Sequence, residues 1–139
     1  RMCDAQRSLK NMKAFIAIFQ SLVHRIYIDR SVTKKYNHEL LNDALWKASS
    51  KNFNSMIVDP YDNDIISMKD MIGKLLDYIK PSLKYFNNFN TTVDTINNIV
   101  ENGTECDLQL TEYNKFPKDK KKGINNLKKY LLNTVEYSL

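Results

Sequence analysis

The sequence predicts an all-α protein, a compact antiparallel bundle of four to six helices with a long loop before the last helix. Three observations carry that expectation. The 139 residues include only three glycines (Gly73, Gly103, Gly123) and three prolines (Pro60, Pro81, Pro117), too few for the glycine-bearing turns of a hairpin-rich β fold. Hydrophobic residues make up 42%, which suits a folded core rather than a disordered chain. Apolar residues also recur at spacings of three and four through several long stretches, the signature of a helix face. The length fits one domain over residues 1–139.

The first helix is expected over about residues 5–29, capped by Asp4, with an apolar stripe of Leu9, Met12, Phe15, Ile16, Phe19, Leu22, Val23 and Ile26. Ile18 and Tyr27 widen its apolar surface, so it is read as a central helix touched on more than one side. After a connection at Ser31 to Tyr36, Asn37 caps a second helix carrying Leu40, Leu41, Ala44, Leu45 and Ala48. Phe53, Met56 and Ile57 resume its period, and Asp59-Pro60-Tyr61-Asp62-Asn63 forms a turn. A third helix starts near Asp64 and carries Ile65, Met68, Met71, Ile72, Leu75, Leu76 and Ile79. Pro81 ends or kinks it, and Ser82 can cap a continuation through Val100. Periodicity leaves open whether residues 64–101 are two helices or one kinked helix. Glu101 to Lys120 is the long loop, lying against the bundle through Leu108, Leu110, Tyr113 and Phe116. The last helix runs from about Asp119 to Ser138 on Ile124, Leu127, Leu131 and Val135.

The two cysteines, Cys3 and Cys106, lie outside the apolar stripes and are expected to form one disulfide in an oxidising compartment. Two glycosylation sequons occur, at Asn90 and Asn102. With 16 Asn and 16 Ser plus Thr, chance placement gives about two, so their number carries no weight. The first residue is Arg1, not Met, as in a processed chain or an excised piece of a longer one, so the lack of a signal peptide says nothing. No apolar run reaches the ~18–20 residues that would span a bilayer. The cysteines together give an expectation of a secreted protein.

Enzyme chemistry finds no foothold. The only histidines, His24 and His38, sit on different helices, and no zinc spacing surrounds them. Counted from Asp62, a calcium loop would need Gly at its sixth position and Glu at its twelfth; Ser67 and Gly73 stand there. There is no glycine-rich phosphate loop and no nucleophile beside a histidine. The expectation is a protein that is not an enzyme and takes no cofactor or metal.

The net charge is +5, and residues 115–129 hold more than all of that excess. Lys115, Lys118, Lys120, Lys121, Lys122, Lys128 and Lys129 face a single acid, Asp119. Such a patch suits an acidic protein face or a polyanionic glycan; without arginines or stacking aromatics, specific nucleic-acid readout is not expected. Length, long helices, few cysteines and a lysine-bearing last helix resemble short-chain helical cytokines. That resemblance implies a secreted bundle binding another protein, a receptor or host target, through its surface. Two alternatives stand beside it. One is a carrier, similar in size to insect odorant-binding proteins, holding a hydrophobic ligand among Met12, Phe15, Phe19, Met68, Met71 and Phe86. The other is an intracellular viral or parasite adaptor with reduced thiols.

Overall fold

The structure is a computed structural model that describes residues 8–29, 38–50, 53, 55–59 and 62–133. Among these are six helices and one two-stranded sheet: α1 (Leu9–Ile28), α2 (His38–Ser50), β1 (Met56–Val58), β2 (Ile65–Ser67), α3 (Met68–Tyr85), α4 (Phe89–Asn102), α5 (Glu105–Asn114) and α6 (Lys120–Asn133). The all-α class with four to six helices is therefore what the chain adopts.

The centre is the packing of α1 on α3 and α4. Ala14 and Ala17 of α1 meet Leu76, Ile79 and Leu83 of α3 and Ile96 of α4. The residues that α1 buries, Ala14, Ala17 and Ser21, are all small. Separation between packed helices is set by the side chains at the contact, so these residues let α1 lie close to its neighbours. Ser82, Thr92 and Thr95 are buried in the same layer; the Thr95 hydroxyl satisfies itself by donating to the Thr91 carbonyl at 2.6 Å.

This corrects the expected core stripe of α1. Phe15, Ile18 and Leu22 do pack partly against the core. Met12, Ile16, Phe19, Val23 and Ile26 lie on the opposite face and are exposed. Size-ranked hydrophobicity points to the wrong side of a helix that packs through alanine. At the start of α1, Ser8 is the N-cap, its hydroxyl accepting from the Asn11 backbone N–H; Asp4, the expected cap, lies outside the described residues.

The second and third helices are separated by a hairpin that helical periodicity had concealed. β1 and β2 pair antiparallel, with Met56 opposite Ser67, Ile57 opposite Ile66 and Val58 opposite Ile65. Three-residue strands are too short to show a period, and β-branched residues fill four of those six positions, with Met56 paired to Ser67 at one end. Asn63 takes the left-handed conformation at φ 60°, and its N–H donates to the Asp59 carbonyl at 2.9 Å, closing the turn. Helix α2 packs on β1; its expected cap, Asn37, lies outside the described residues.

Residues 68–102 are two helices. Helix α3 runs through Pro81 to Tyr85. Pro81 faces solvent, where water can satisfy the carbonyl left without a donor. The break comes at Asn87, whose φ is 56°. Its N–H donates to the Lys84 carbonyl and the Asn88 N–H to the Leu83 carbonyl, a Schellman ending with Asn in place of the usual Gly.

The long loop expected before the last helix is instead α5. Thr104 and Asp107 form a reciprocal capping box, which satisfies amides that would otherwise be orphaned at a helix start. Helices α5 and α6 then pack on one another. A Cβ on Gly123 would stand 2.8 Å from the Tyr113 carbonyl oxygen, so only glycine permits this approach. Residues 134–139, the expected end of the last helix, lie outside the described residues.

Three substitutions separate these causes by thermal unfolding. Thr104→Ala removes a cap and is expected to cost about 1 kcal/mol. Gly123→Ala gains about 1 kcal/mol of helix propensity but meets backbone, and overpacking of about 1–3 kcal/mol should make it net destabilising. Gly73→Ala, with nothing within 4 Å of its added Cβ, should stabilise by about 0.5–1 kcal/mol. A lower midpoint for Gly73→Ala, or a higher one for Gly123→Ala, would contradict the packing described.

Candidate functional site

The feature with most chemical consequence is the outer face of α1. Met12, Ile16, Phe19, Val23 and Ile26 recur at steps of four, three, four and three, which aligns them along one side of the helix. Their inner-face counterparts show how sharply the helix is divided. Ala14 is 3% exposed and Ile16 58%; Ser21 is wholly buried and Val23 is 68% exposed. Single exposed apolar residues are ordinary on a protein surface; here five stand in one aligned row. Helix α1 contains no Asp or Glu, while Lys10, Lys13 and Arg25 give it positive charge.

The helix is held in this orientation from its inner side. His24 Nδ1 lies 2.9 Å from Ser82 Oγ on α3. The imidazole stacks on Tyr85 with ring centres 4.9 Å apart and meets the edge of Phe86 at 5.0 Å. A serine beside a histidine invites a nucleophile reading, but Ser82 is 2% exposed, so its oxygen cannot reach a substrate. The pair fastens α1 to α3. Arg25 adds a contact at 5.3 Å to the ring centre of Tyr78 and an ion pair to Asp29.

The expected ligand-cavity residues do not converge. Met12 and Phe19 face outward, while Phe15 packs on the core. Met68 opens α3 and Phe86 caps its end, about 27 Å apart at 1.5 Å per residue. An open groove of about 400 Å³ runs between α3 and α4 past Lys69, Gly73, Asp77 and Asn97, and none of the six lines it.

The lysine cluster is brought together on the α5–α6 hairpin, with all seven side chains exposed. Lys115 pairs with Glu112 at 2.7 Å and Lys122 with Asp119 at 3.5 Å. Lys121 and Lys128, like Lys122 and Lys129, are seven residues apart and so share a side of α6. Glu112 also accepts from Asn126 Nδ2 at 3.0 Å, tying α5 to α6. The Lys115 ammonium, and then Asn126, hold the Glu112 carboxyl below its usual range against an opposing effect of desolvation.

At the β-hairpin, the 1%-exposed Asp59 carboxylate receives Lys74 Nζ at 2.5 Å, and Asp62 receives it at 3.1 Å. The Asp59 and then the Asp62 hydrogen bonds raise the Lys74 pKa. The half-exposed Lys74 ammonium thus sits where these two carboxylates converge. Among the described residues no three His, Cys, Asp or Glu side chains are grouped to hold a metal ion.

Cys106 is exposed and its sulfur is unbonded among the described residues; Cys3 lies outside them, so the expected disulfide cannot be followed to its other end. Asn90 and Asn102 are both exposed. The threonine of the first sequon, Thr92, is buried, and that of the second, Thr104, serves as the α5 cap. No helix among the described residues is long and apolar enough to cross a membrane.

Comparison with known protein families, with curated proteins and with solved structures finds no match to this chain.

The Glu112 contact makes the hairpin sensitive to acid. Because its folded pKa is depressed, the stabilisation is present above its ordinary value of 4.5 and is lost as pH falls through the folded value. Glu112→Gln keeps one acceptor but removes the titration. The thermal midpoint of the wild type should therefore fall more steeply than that of Glu112→Gln between about pH 6 and pH 3. Parallel curves would show that the contact contributes nothing to the acid limb.

Proposed function

We propose that this chain is a protein-binding module and that its binding face is the outer side of α1. The observation that supports this reading is the aligned row of five exposed apolar side chains, Met12, Ile16, Phe19, Val23 and Ile26. Burying such side chains is worth about 1.5–3 kcal/mol each where burial is complete. A partner that covers even part of the row therefore gains substantial binding energy. The face is also rigid, since α1 is held from behind by α3 and α4, so little ordering cost is added on association. The lysine cluster at residues 115–129, the face expected from charge alone, has exposure in its favour and Phe116 and Ile124 exposed beside it, but not an aligned row of five apolar side chains.

Phe19→benzoylphenylalanine in the full chain places a photo-reactive ketone in the middle of the row. Irradiation in an extract of the source cells should give one defined protein adduct, competed away by unlabelled chain. The adduct should disappear when Ile16→Gln and Val23→Gln are added, neutral changes compatible with a helix. It should survive Lys120→Glu, Lys121→Glu and Lys122→Glu together. An adduct insensitive to the two glutamines rejects the α1 face, and one lost only with the lysine reversals moves the binding face to α6.

A further inference from the structure

We infer that the corner between α4 and α5 is a self-modification site, where Asn102 loses its side-chain ammonia to attack by the Gly103 backbone nitrogen. The reaction needs an accessible side-chain amide and an unhindered nitrogen on the next residue, and any Cβ on that residue crowds the approach. Of the chain's asparagines only Asn102 is followed by glycine. Asn102 is exposed at the last position of α4, and its side chain has no hydrogen-bond partner among the described residues. The fold also demands the glycine. Gly103 stands at φ 94°, and a Cβ on it would lie 3.0 Å from Asp107 Cβ. The backbone that turns α4 into α5 thus puts the least hindered nucleophile beside this amide.

Water is the only reagent consumed. Hydroxide takes the Gly103 amide proton, and the nitrogen bonds to Asn102 Cγ. The Cγ–Nδ2 bond then breaks, the nitrogen leaves as ammonia with a proton from water, and a cyclic imide remains. Water opens that ring on either side. Opening at Cγ gives aspartate; opening at the main-chain carbonyl gives isoaspartate, in which the chain continues through Cβ and Cγ. The closed corner restrains the first step, because the Gly103 N–H donates to the Ile99 carbonyl at 3.0 Å. Attack therefore proceeds from openings of the last turn of α4, and such openings cost little at a helix end. The modification accumulates slowly and at a rate set by how often this corner opens.

Either product puts a carboxylate where the fold favours none. The C-terminal end of a helix carries partial negative charge, α4 has no basic residue in its last turn, and Glu101 is adjacent. Isoaspartate also lengthens the backbone directly before Gly103 and the Thr104 cap of α5. This corner is the covalent link to the α5–α6 hairpin, whose two helices pack chiefly on each other. The modified corner therefore holds the hairpin less firmly than the original one.

The test incubates the folded full chain in warm, mildly alkaline buffer and follows each asparagine by digestion and tandem mass spectrometry. Acid should build up at residue 102, part of it as isoaspartate that an isoaspartyl methyltransferase labels. Asn102→Gln keeps a neutral amide but cannot close the same ring, so conversion and label at this position should be lost, with circular dichroism verifying the fold. Urea should accelerate conversion in the wild type by freeing the Gly103 nitrogen. Conversion in urea but none in the folded chain overturns the inference, because the corner then stays closed. Aspartate without isoaspartate also overturns it, since direct hydrolysis would bypass Gly103. The modified chain, separated by ion exchange, should be cut by trypsin within residues 115–129 several-fold faster than the unmodified chain. Equal cutting rates overturn the loosening of the hairpin.

Discussion

Everything in the centre of this fold depends on how closely α1 can approach α3 and α4. Ala14, Ala17 and Ser21 make the inner face of α1 thin, and the bulk of the core comes from the other side, chiefly Ile79 and Leu83, both fully buried. Dispersion between packed atoms falls off over a fraction of an ångström. A larger residue at Ala14 or Ala17 would push the helices apart and weaken each neighbouring contact together. The His24–Ser82 pairing and the stacking on Tyr85 operate at the same interface. They fix rotation about the helix axis, which packing of alanines alone would leave loosely specified. One interface thus sets both the spacing and the facing of α1, and it leaves that helix's large side chains on the other side.

This explains which parts of the molecule could be read from the chain and which could not. Scarcity of Gly and Pro was sufficient for the all-α class because it bears on turn chemistry, which is local. The reading of α1 as a helix is likewise sound; the expectation that it is touched on more than one side holds for its contacts with α3 and α4 and not for its outer face, which is exposed. Which side faces inward was misjudged, because Phe15, Ile16 and Phe19 outweigh Ala14 and Ala17 on any hydrophobic scale. The small residues at 14, 17 and 21 were visible at helical spacing and carried the answer. The β-hairpin was hidden for a different reason. Its strands are three residues long, and Phe53, Met56 and Ile57 happen to continue the helical spacing of α2. Helix α5 has a legible signal, Thr104 followed by Asp107 at the third helical position, but it is short and stands between Gly103 and Pro117, which also mark a loop.

Of the candidate functional residues, the lysines were the easiest to find, since charge excess needs no structure. Their arrangement was not legible, because it depends on α5 folding back along α6 at Gly123. The Met and Phe residues grouped as a possible cavity lining share composition but not location. Ile16, Val23 and Ile26 were noticed only as supposed core. Their exposure is a tertiary property, set by what α3 and α4 choose to contact.

The hairpin of α5 and α6 has an energetic consequence of its own. Helix α5 buries no residue and α6 buries only Gly123, while their principal packing is on each other. Almost nothing in the α1, α3 and α4 centre is lost when the hairpin comes apart. By its packing the α5–α6 hairpin is a weaker cooperative unit than the α1, α3 and α4 centre, and the amides of these two groups are expected to differ in hydrogen exchange. Protection factors in the hairpin report a sub-global opening, whereas those around Ile79 and Leu83 report unfolding of the whole. A single unfolding free energy describes only the second of these events.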